Sequence, residues 1–367
     1  MSKTVIKHHI KTVLRHTLNL ASPLFSRKTA MDPTDAREKL LTVCPIPEGT
    51  TDADNHILPP TVDLQIVIPA YNVEAYLESC MESVLSQKTK YSYHIILVDD
   101  GAKDNTPAIA DKYAADPRVT VIHQPNKGLS GARNTGFKEI FGRYLLFVDS
   151  DDILCEGAIE AMLDTAYRHD CDMVEGSACY LYENSQDIMH QFPVIAKAED
   201  PYSVLHGHAW GKLYKAELLK NLCFPEGFWY EDSILTFLVF PMLTNAWVIP
   251  HICYGYRINQ SGIVRSSHGK PRSVETYWLT EQLMASYAKA EHPVTDAYFR
   301  SILHQFRLNQ HRVSDLSEET QECVFVLSSE LLAHYFPDTM TDKSYTQLLK
   351  ALRSRDFGAF RMCCKLL

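Results

Sequence analysis

The stretch YLLFVDSDD, Tyr144 to Asp152, runs five residues fit for burial straight into three carboxylates around one serine. A short apolar run bounded by polar residues reads as a β-strand covered on both faces. The like charges at its end cannot follow it into the core, so the strand is a mount that carries them to a rim. Segments of the same form flank it: LQIVI (64–68), HIILV (94–98) and VTVI (119–122) before it, DMVEG (172–176) after it. Helical spacing fills the intervals. Leu77, Cys80, Met81, Val84 and Leu85 mark one inner helix face, and residues 131–141 and 158–168 supply two further covering helices. This alternation predicts an α/β fold, a mainly parallel sheet with helices on both faces. Ligands of such open sheets gather beyond the carboxyl ends of the strands.

The loops at those ends hold the polar residues. The first strand ends in PAYN and the second in DDGAKDNT, the third leads into HQPNKGLSGARNTG, and the fourth ends in DSDD. Asp149 and Asp151, one residue apart on a turn, can meet one divalent cation, and hard oxygen ligands suit Mg2+ or Mn2+. The competing reading makes DSDD a helix start, with Ser150 or Asp152 capping the segment before Ala158. The third loop sets glycines at 128, 131 and 136 beside Lys127 and Arg133, groups suited to phosphate oxygens. It is neither a GxxxxGK[ST] loop nor a GxGxxG fingerprint.

Farther along, FWYEDSILTF sets Glu231 and Asp232 ahead of an apolar helix at Ile234, Leu235, Phe237 and Leu238. Stabilisation of the helix dipole explains such acids without any catalysis. HGHAWGKLYKAELL gathers His206, His208, Trp210 and Lys212. A ring with flanking donors suits a hydroxyl-rich acceptor, whereas Trp210 and Tyr214 at i and i+4 suit a core equally well. These histidines are not read as a zinc site, because no further ligand follows at a recognised spacing. YGYRINQSGIVRSSHGK brings Arg257, Arg265, His268 and Lys270 into a loop that either closes over a diphosphate or is simply solvated.

Taken in order, VIPAYN, ILVDDGAKDNT, NKGLSGARNTG, FVDSDD, WGKLY and WYED resemble the inverting glycosyltransferases of family 2, which have the GT-A fold. The likeness runs from about Leu64 to Ile263. It implies a hexosyltransferase-type enzyme that moves a sugar from a nucleotide-diphosphate sugar, expected to be a UDP-sugar, to a hydroxyl of a glycan or lipid-linked acceptor. Capsule, lipopolysaccharide and exopolysaccharide are the products such enzymes build in the cell envelope. Nucleotide contacts then fall on Pro69, Tyr71, Asp99, Asp100, Lys127, Gly128, Arg133 and Asp149, with Asp100 reading the base. Asp151 meets the metal, Mn2+ or Mg2+. Asp232 is the general base, and Glu231 joins His208, Trp210 and Lys212 around the acceptor or holds the backbone. Family members usually show DDGS where this chain has Ala102.

Two other classes compete with this. Phosphohydrolases of the haloacid dehalogenase type also place DxD after an apolar strand, but there the motif opens the domain and its fifth position is Thr or Val; here three strands precede it and Ile153 stands fifth. A non-catalytic sugar-nucleotide binding scaffold needs no ED pair.

A formal net charge of -9 argues against a general nucleic-acid binder. Ten cysteines without a CxxC pair suggest neither a zinc module nor a disulfide framework, and a reducing cytoplasm suits them. The first thirty residues carry Lys3, Lys7, Lys11, Arg15, Arg27 and Lys28 and no acid. Val5, Ile6, Ile10, Val13, Leu14 and Leu18 recur there at helical spacing, which suits a helix lying on anionic lipid or a disordered leader rather than a secretory signal. Leu235 to Pro250 is interrupted by Pro241, Thr244 and Asn245 and falls short of the roughly 20 residues a bilayer needs. The expected location is cytoplasmic, with at most a peripheral contact on the inner face of the membrane. The expected organisation is a basic arm and linker over 1–61, a GT-A catalytic domain over 62–265 and a helical region over 266–367. In that last region Leu303, Phe306 and Val313, and then Val324, Leu327, Leu331 and Leu332, recur at helical spacing.

Overall fold

The computed structural model describes residues 25–182, 185–259 and 269–366. The chain divides into two compact units, one of residues 48–261 and one of residues 1–47 with 262–367.

The first unit is built on a ten-stranded sheet. Its strands are β1 (His56–Ala70), β2 (Tyr93–Asp99), β3 (Val119–His123), β4 (Glu139–Phe147), β5 (Ile153–Leu154), β6 (Met173–Leu181), β7 (Gln186–His190), β8 (Ala196–Lys197), β9 (Lys212–Lys215) and β10 (Ala246–Arg257). The order is β3-β2-β1-β4-β9-β6-β10-β5, with β7 beside β6 and β8 beside β10. β1 pairs in parallel with β2 and β4, β2 with β3, and β6 with β10. β9 runs antiparallel between β4 and β6. All five strands read from the sequence are present. Of the other five, β5 and β7 to β9 are too short for a periodicity reading, and the apolar run of β10 is interrupted by Pro250 and His251.

Burial follows from coverage on both faces. Residues 64–70 of β1 are all buried, so the strand shows no alternation. The helix Leu77–Leu85 turns Leu77, Cys80, Met81 and Val84 inward at i, i+3, i+4 and i+7. The helix Ala158–His169 matches its expected range closely. The helix expected over 131–141 lies earlier, at Gly128–Gly136, and Glu139 already starts β4. Gly136 allows this, since a Cβ there would stand 2.2 Å from Val67 Cγ1 of β1. Direct contact of this helix with the sheet is what sinks Arg133 into the interior. The apolar segment after the ED pair is not a regular α-helix either. It forms one π-turn at Leu235–Val239 and then a 3-10 turn at Phe240–Met242, where Pro241 lacks the amide a continuing helix would use.

The second unit is helical, as expected: Glu275–Lys289, Asp296–Arg312, Glu318–Tyr335, Thr346–Arg353 and Phe357–Leu366. Leu303, Phe306, Val313, Val324, Leu327, Leu331 and Leu332 are all buried. Thr295 and Ser317 cap two of its helices, accepting from the amides of Tyr298 and Thr320. Residues 32–61 are a linker only in their middle part, 44–55. Asp32 caps the helix Pro33–Val43, whose Ala36 and Leu40 are buried in this unit, and β1 of the other unit begins at His56. The Trp278 indole N–H donates to the Cys44 carbonyl at 3.0 Å, which fixes the end of that helix. Most of the expected basic arm lies outside the described residues. Among the described residues no helix is long and apolar enough to cross a membrane. All ten cysteines are free thiols.

Candidate active site

The carboxyl ends of β1, β2 and β4 meet at one rim. The Asp100 amide donates to the Ala70 carbonyl at 2.9 Å and ties the ends of β1 and β2 together. Asp99 and Asp100 are 3% and 2% exposed. Asp100 Oδ1 accepts from Gln124 Nε2 at 2.7 Å and from the Lys127 amide at 2.9 Å. Asp99 Oδ1 accepts from the Ala102 amide at 3.0 Å. Asp99 Oδ2 stands 2.8 Å from His123 Nδ1, and this bond raises the His123 pKa. Pro69 is buried within β1, which leaves little of its side chain for the expected contact. Tyr71, two residues on, is 45% exposed at the rim. Lys127 is exposed, and Gly128 has a φ of 77°, the left-handed turn that starts the following helix.

Arg133 is the centre of the site. It is 1% exposed, and its guanidinium reaches three carboxylates from distant parts of the chain. Nη2 donates to Asp149 Oδ1 at 2.8 Å; Nη1 donates to Glu231 Oε1 at 2.8 Å and to Asp232 Oδ1 at 2.9 Å. Burial alone would lower its pKa, but Asp149, Asp232 and Glu231 raise it and hold the guanidinium charged. A side chain enclosed in this way is not presented to a diphosphate, which corrects its expected phosphate contact. It binds DSDD and the ED pair into one constellation instead. Asp232 Oδ2 also accepts from the Ala209 amide at 3.3 Å. Of the two acids, the Asp232 side chain is 29% exposed and that of Glu231 only 9%. Burial is the largest cause that pushes both carboxyls upward. Tyr230, just before them, has a φ of 66°, a backbone conformation that bulky residues rarely adopt.

The DSDD turn separates two roles. Asp152 is 1% exposed and does not cap a helix: Gly157 occupies the N-cap position of Ala158–His169. Instead Asp152 accepts from the Tyr254 hydroxyl at 2.8 Å and from the Arg257 amide at 2.6 Å, which fastens the turn to β10. The Tyr254 hydroxyl is 3.0 Å from the Asp149 amide. Arg257 belongs to β10 rather than to a loop, and its Nε donates to the Asp151 carbonyl at 2.8 Å. Arg265 and His268 lie outside the described residues, and Lys270 belongs to the helical unit. Asp151 accepts from Asn259 Nδ2 at 3.0 Å. Burial and the Asp149 charge push its carboxyl pKa up. Asp149, one of whose oxygens is held by Arg133, and Asp151 thus form a hard-oxygen pair, a donor set that fits Mg2+ or Mn2+.

The HGH segment departs most from expectation. Trp210 is 5% exposed, and both faces of its indole are covered. His208 stacks on it at 3.5 Å between centroids and 7°, Tyr254 at 4.4 Å and 13°, too close for both rings to share one face. No sugar can stack on Trp210. Lys212 is 0% exposed; its ammonium donates to the His208 carbonyl at 2.8 Å and lies 3.4 Å from Glu175 Oε1. Tyr214 is a core residue whose hydroxyl donates to the Ala209 carbonyl at 2.8 Å. The segment supports Asp232 from behind rather than lining an acceptor surface. Gln124, Tyr254 and Asn259 were missed by the sequence reading, because none sits in a charged or glycine-rich motif.

Comparison with known proteins agrees with this architecture. The profile of Glycosyl transferase family 2 matches residues 65–223. EpsJ of Bacillus subtilis, an uncharacterized glycosyltransferase, is 34% identical over 62% of this chain and 70% of its own length. Glycosyltransferase GlyA of Streptococcus pneumoniae is 31% identical over 55% of this chain, but that match spans only 31% of GlyA. Residues 1–349 of S. aureus TarS, solved in complex with UDP-GlcNAc, superpose with a TM-score of 0.64 at 18% identity, covering 83% of this chain and 90% of that one. The sheet order, the rim of carboxylates and these matches define a nucleotide-sugar-dependent transferase of the GT-A fold. The chain belongs to glycosyltransferase family 2.

Proposed function

We propose that the protein transfers a sugar from a nucleotide-diphosphate sugar, a UDP-sugar, to a hydroxyl of a glycan or lipid-linked acceptor in one inverting displacement, with Asp232 as general base. The observation that carries this reading is the Arg133 constellation, in which Asp149 and Asp232 hang from one guanidinium at 2.8 and 2.9 Å. It brings the end of β4, expected at the donor diphosphate, within one side chain of the acid expected to act as base.

Each residue then has a physical task. Asp100, 2% exposed and fixed by Gln124 and the Lys127 amide, would reach the nucleoside only through a small exposed part of its carboxylate, and exposed Tyr71 offers a face to the base. Asp151, with Asp149 beside it, would hold Mg2+ or Mn2+. Such a cation neutralises charge on the diphosphate leaving group when bound. Asp232, the more exposed acid of its pair, takes the proton from the acceptor hydroxyl as that oxygen attacks the anomeric carbon. The C–O bond to the diphosphate breaks as the new glycosidic bond forms. Arg133 and the Ala209 amide restrain the Asp232 carboxylate so that little reorganisation accompanies the proton transfer. Glu231, more buried, anchors Arg133.

A thermal-shift screen of nucleotide sugars with and without Mn2+ tests the donor assignment, because a ligand bound only by the folded state raises the melting temperature. A UDP-sugar should give the largest shift, and the shift should depend on Mn2+. Stabilisation by no nucleotide sugar would refute the reading.

A further inference from the structure

Beneath the HGH segment, four ligating side chains come together from three separate stretches of the first unit. Glu175 comes from β6, His190 from β7, and His206 and His208 from the loop before β9. One ligand atom from each lies within 4.8 Å of all the others. The sequence alone hides this group, since Glu175 and His190 stand 31 and 16 positions before His206 in no metal-binding spacing.

The three imidazoles are held in place by protein groups. His208 Nδ1 lies 3.0 Å from both the Trp210 carbonyl and the Lys212 ammonium. Its Nε2 is buried and without a hydrogen-bond partner among the described residues. His190 Nε2 faces the Gly176 carbonyl at 3.3 Å, and His206 Nδ1 faces Glu175 Oε1 at 2.8 Å. Each ring thus has one nitrogen engaged by the protein, and metal-bound histidines are oriented by their surroundings in the same way.

We infer that Glu175, His190, His206 and His208 form a second cation site, selective for a transition metal such as Zn2+ and separate from the oxygen site at Asp151. Imidazole donors favour Zn2+ over the Mg2+ or Mn2+ suited to carboxylates. A tetrahedral site with bonds of about 2.0–2.1 Å has ligand atoms about 3.3 Å apart, so the four side chains must draw together from their present spacing of up to 4.8 Å. At least one ring must also leave its stack, because near-parallel imidazoles such as His190 and His206, 4.0 Å apart, point their lone pairs side by side. The Lys212 ammonium shares Glu175 and also donates to the His208 carbonyl, where it remains bound when Glu175 turns to the metal. A metal here would clamp β6 and β7 to the loop whose Ala209 amide holds Asp232.

The test is zinc binding by the full chain after EDTA treatment, measured by equilibrium dialysis, with Co2+ absorption reporting geometry. Wild type should bind one Zn2+ at this site and give the intense visible bands of tetrahedral Co2+. His206→Asn, at a side chain that is 42% exposed and so tolerant of change, should weaken Zn2+ by at least about 100-fold. Asp151→Asn should leave the Co2+ bands intact. The melting temperature of each variant in EDTA shows that the fold persists. If wild type gives no tetrahedral Co2+ spectrum, or His206→Asn binds Zn2+ as tightly as wild type, there is no such site.

Discussion

Two buried charges in the first unit are opposites of each other. Arg133, 1% exposed, is surrounded by Asp149, Glu231 and Asp232. Glu175, 0% exposed, is surrounded by Lys212, His206 and His190. They differ in which partners reach solvent. Around the arginine, the side chains of Asp149 and Asp232 remain 23% and 29% exposed. Around the glutamate, the permanent cation Lys212 is wholly enclosed, and the partner that reaches solvent is the imidazole of His206, 42% exposed. A carboxylate restrained from behind by a buried cation is oriented and still open to substrate, which suits catalysis. A fully enclosed ion pair mainly holds neighbouring strands in register. The two centres meet at Ala209, whose amide donates to Asp232 while its neighbour His208 rests against Lys212.

Substitutions can break this contrast. Asp232→Asn keeps the shape but removes the base, so transfer should fall by about 10²- to 10⁴-fold while donor affinity stays close to wild type; unchanged turnover would assign the proton to another group. Arg133→Met leaves three carboxylates without their shared cation and should cost about 3–5 kcal/mol of stability in urea unfolding. A loss well under 1 kcal/mol would mean that the guanidinium does not organise the site. Glu175→Gln strands the wholly enclosed Lys212 ammonium and should likewise cost about 3–5 kcal/mol. The folded variant should still transfer sugar, and abolished transfer would erase the distinction between the two centres. Tyr71→Ala should weaken donor binding by only about 0.5–1.5 kcal/mol, the worth of one aromatic contact, with acceptor KM unmoved.

The smallest effect is on pH dependence. As the proposed base, Asp232 must be deprotonated to accept a proton, and burial raises its pKa. As pH falls, activity is therefore lost while an ordinary aspartate, at about 3.9, would still be ionised. The acid limb of kcat/KM should lie above that range and disappear in Asp232→Asn. A limb at ordinary carboxylate pH would show that the base is not desolvated.

The sheet was legible because its strands are continuous apolar runs with polar ends, and DSDD and the ED pair were legible as concentrations of charge. Three-dimensional pairing was not. Arg133 lies 16, 98 and 99 positions from its three carboxylates, and no local pattern signals such partners. Its glycine-rich setting pointed to phosphate, whereas Gly136 serves contact with Val67. Trp210 looked like a sugar platform because sequence records the ring and not what covers it; His208 and Tyr254 close both faces. The segment 32–61 reads as a linker from its prolines and polar residues, yet Asp32 and Pro33 are helix-start residues and Leu40 anchors the helix they begin.

The position of UDP in a crystal of the protein soaked with UDP and Mn2+ tests the central claim most directly. The diphosphate should lie against Asp149 and Asp151 through the cation, with the uracil beside Asp100 and Tyr71 and Asp232 facing the vacant sugar position. A nucleotide bound away from this rim, or one whose diphosphate lies on the far side of the sheet from Asp232, would contradict it.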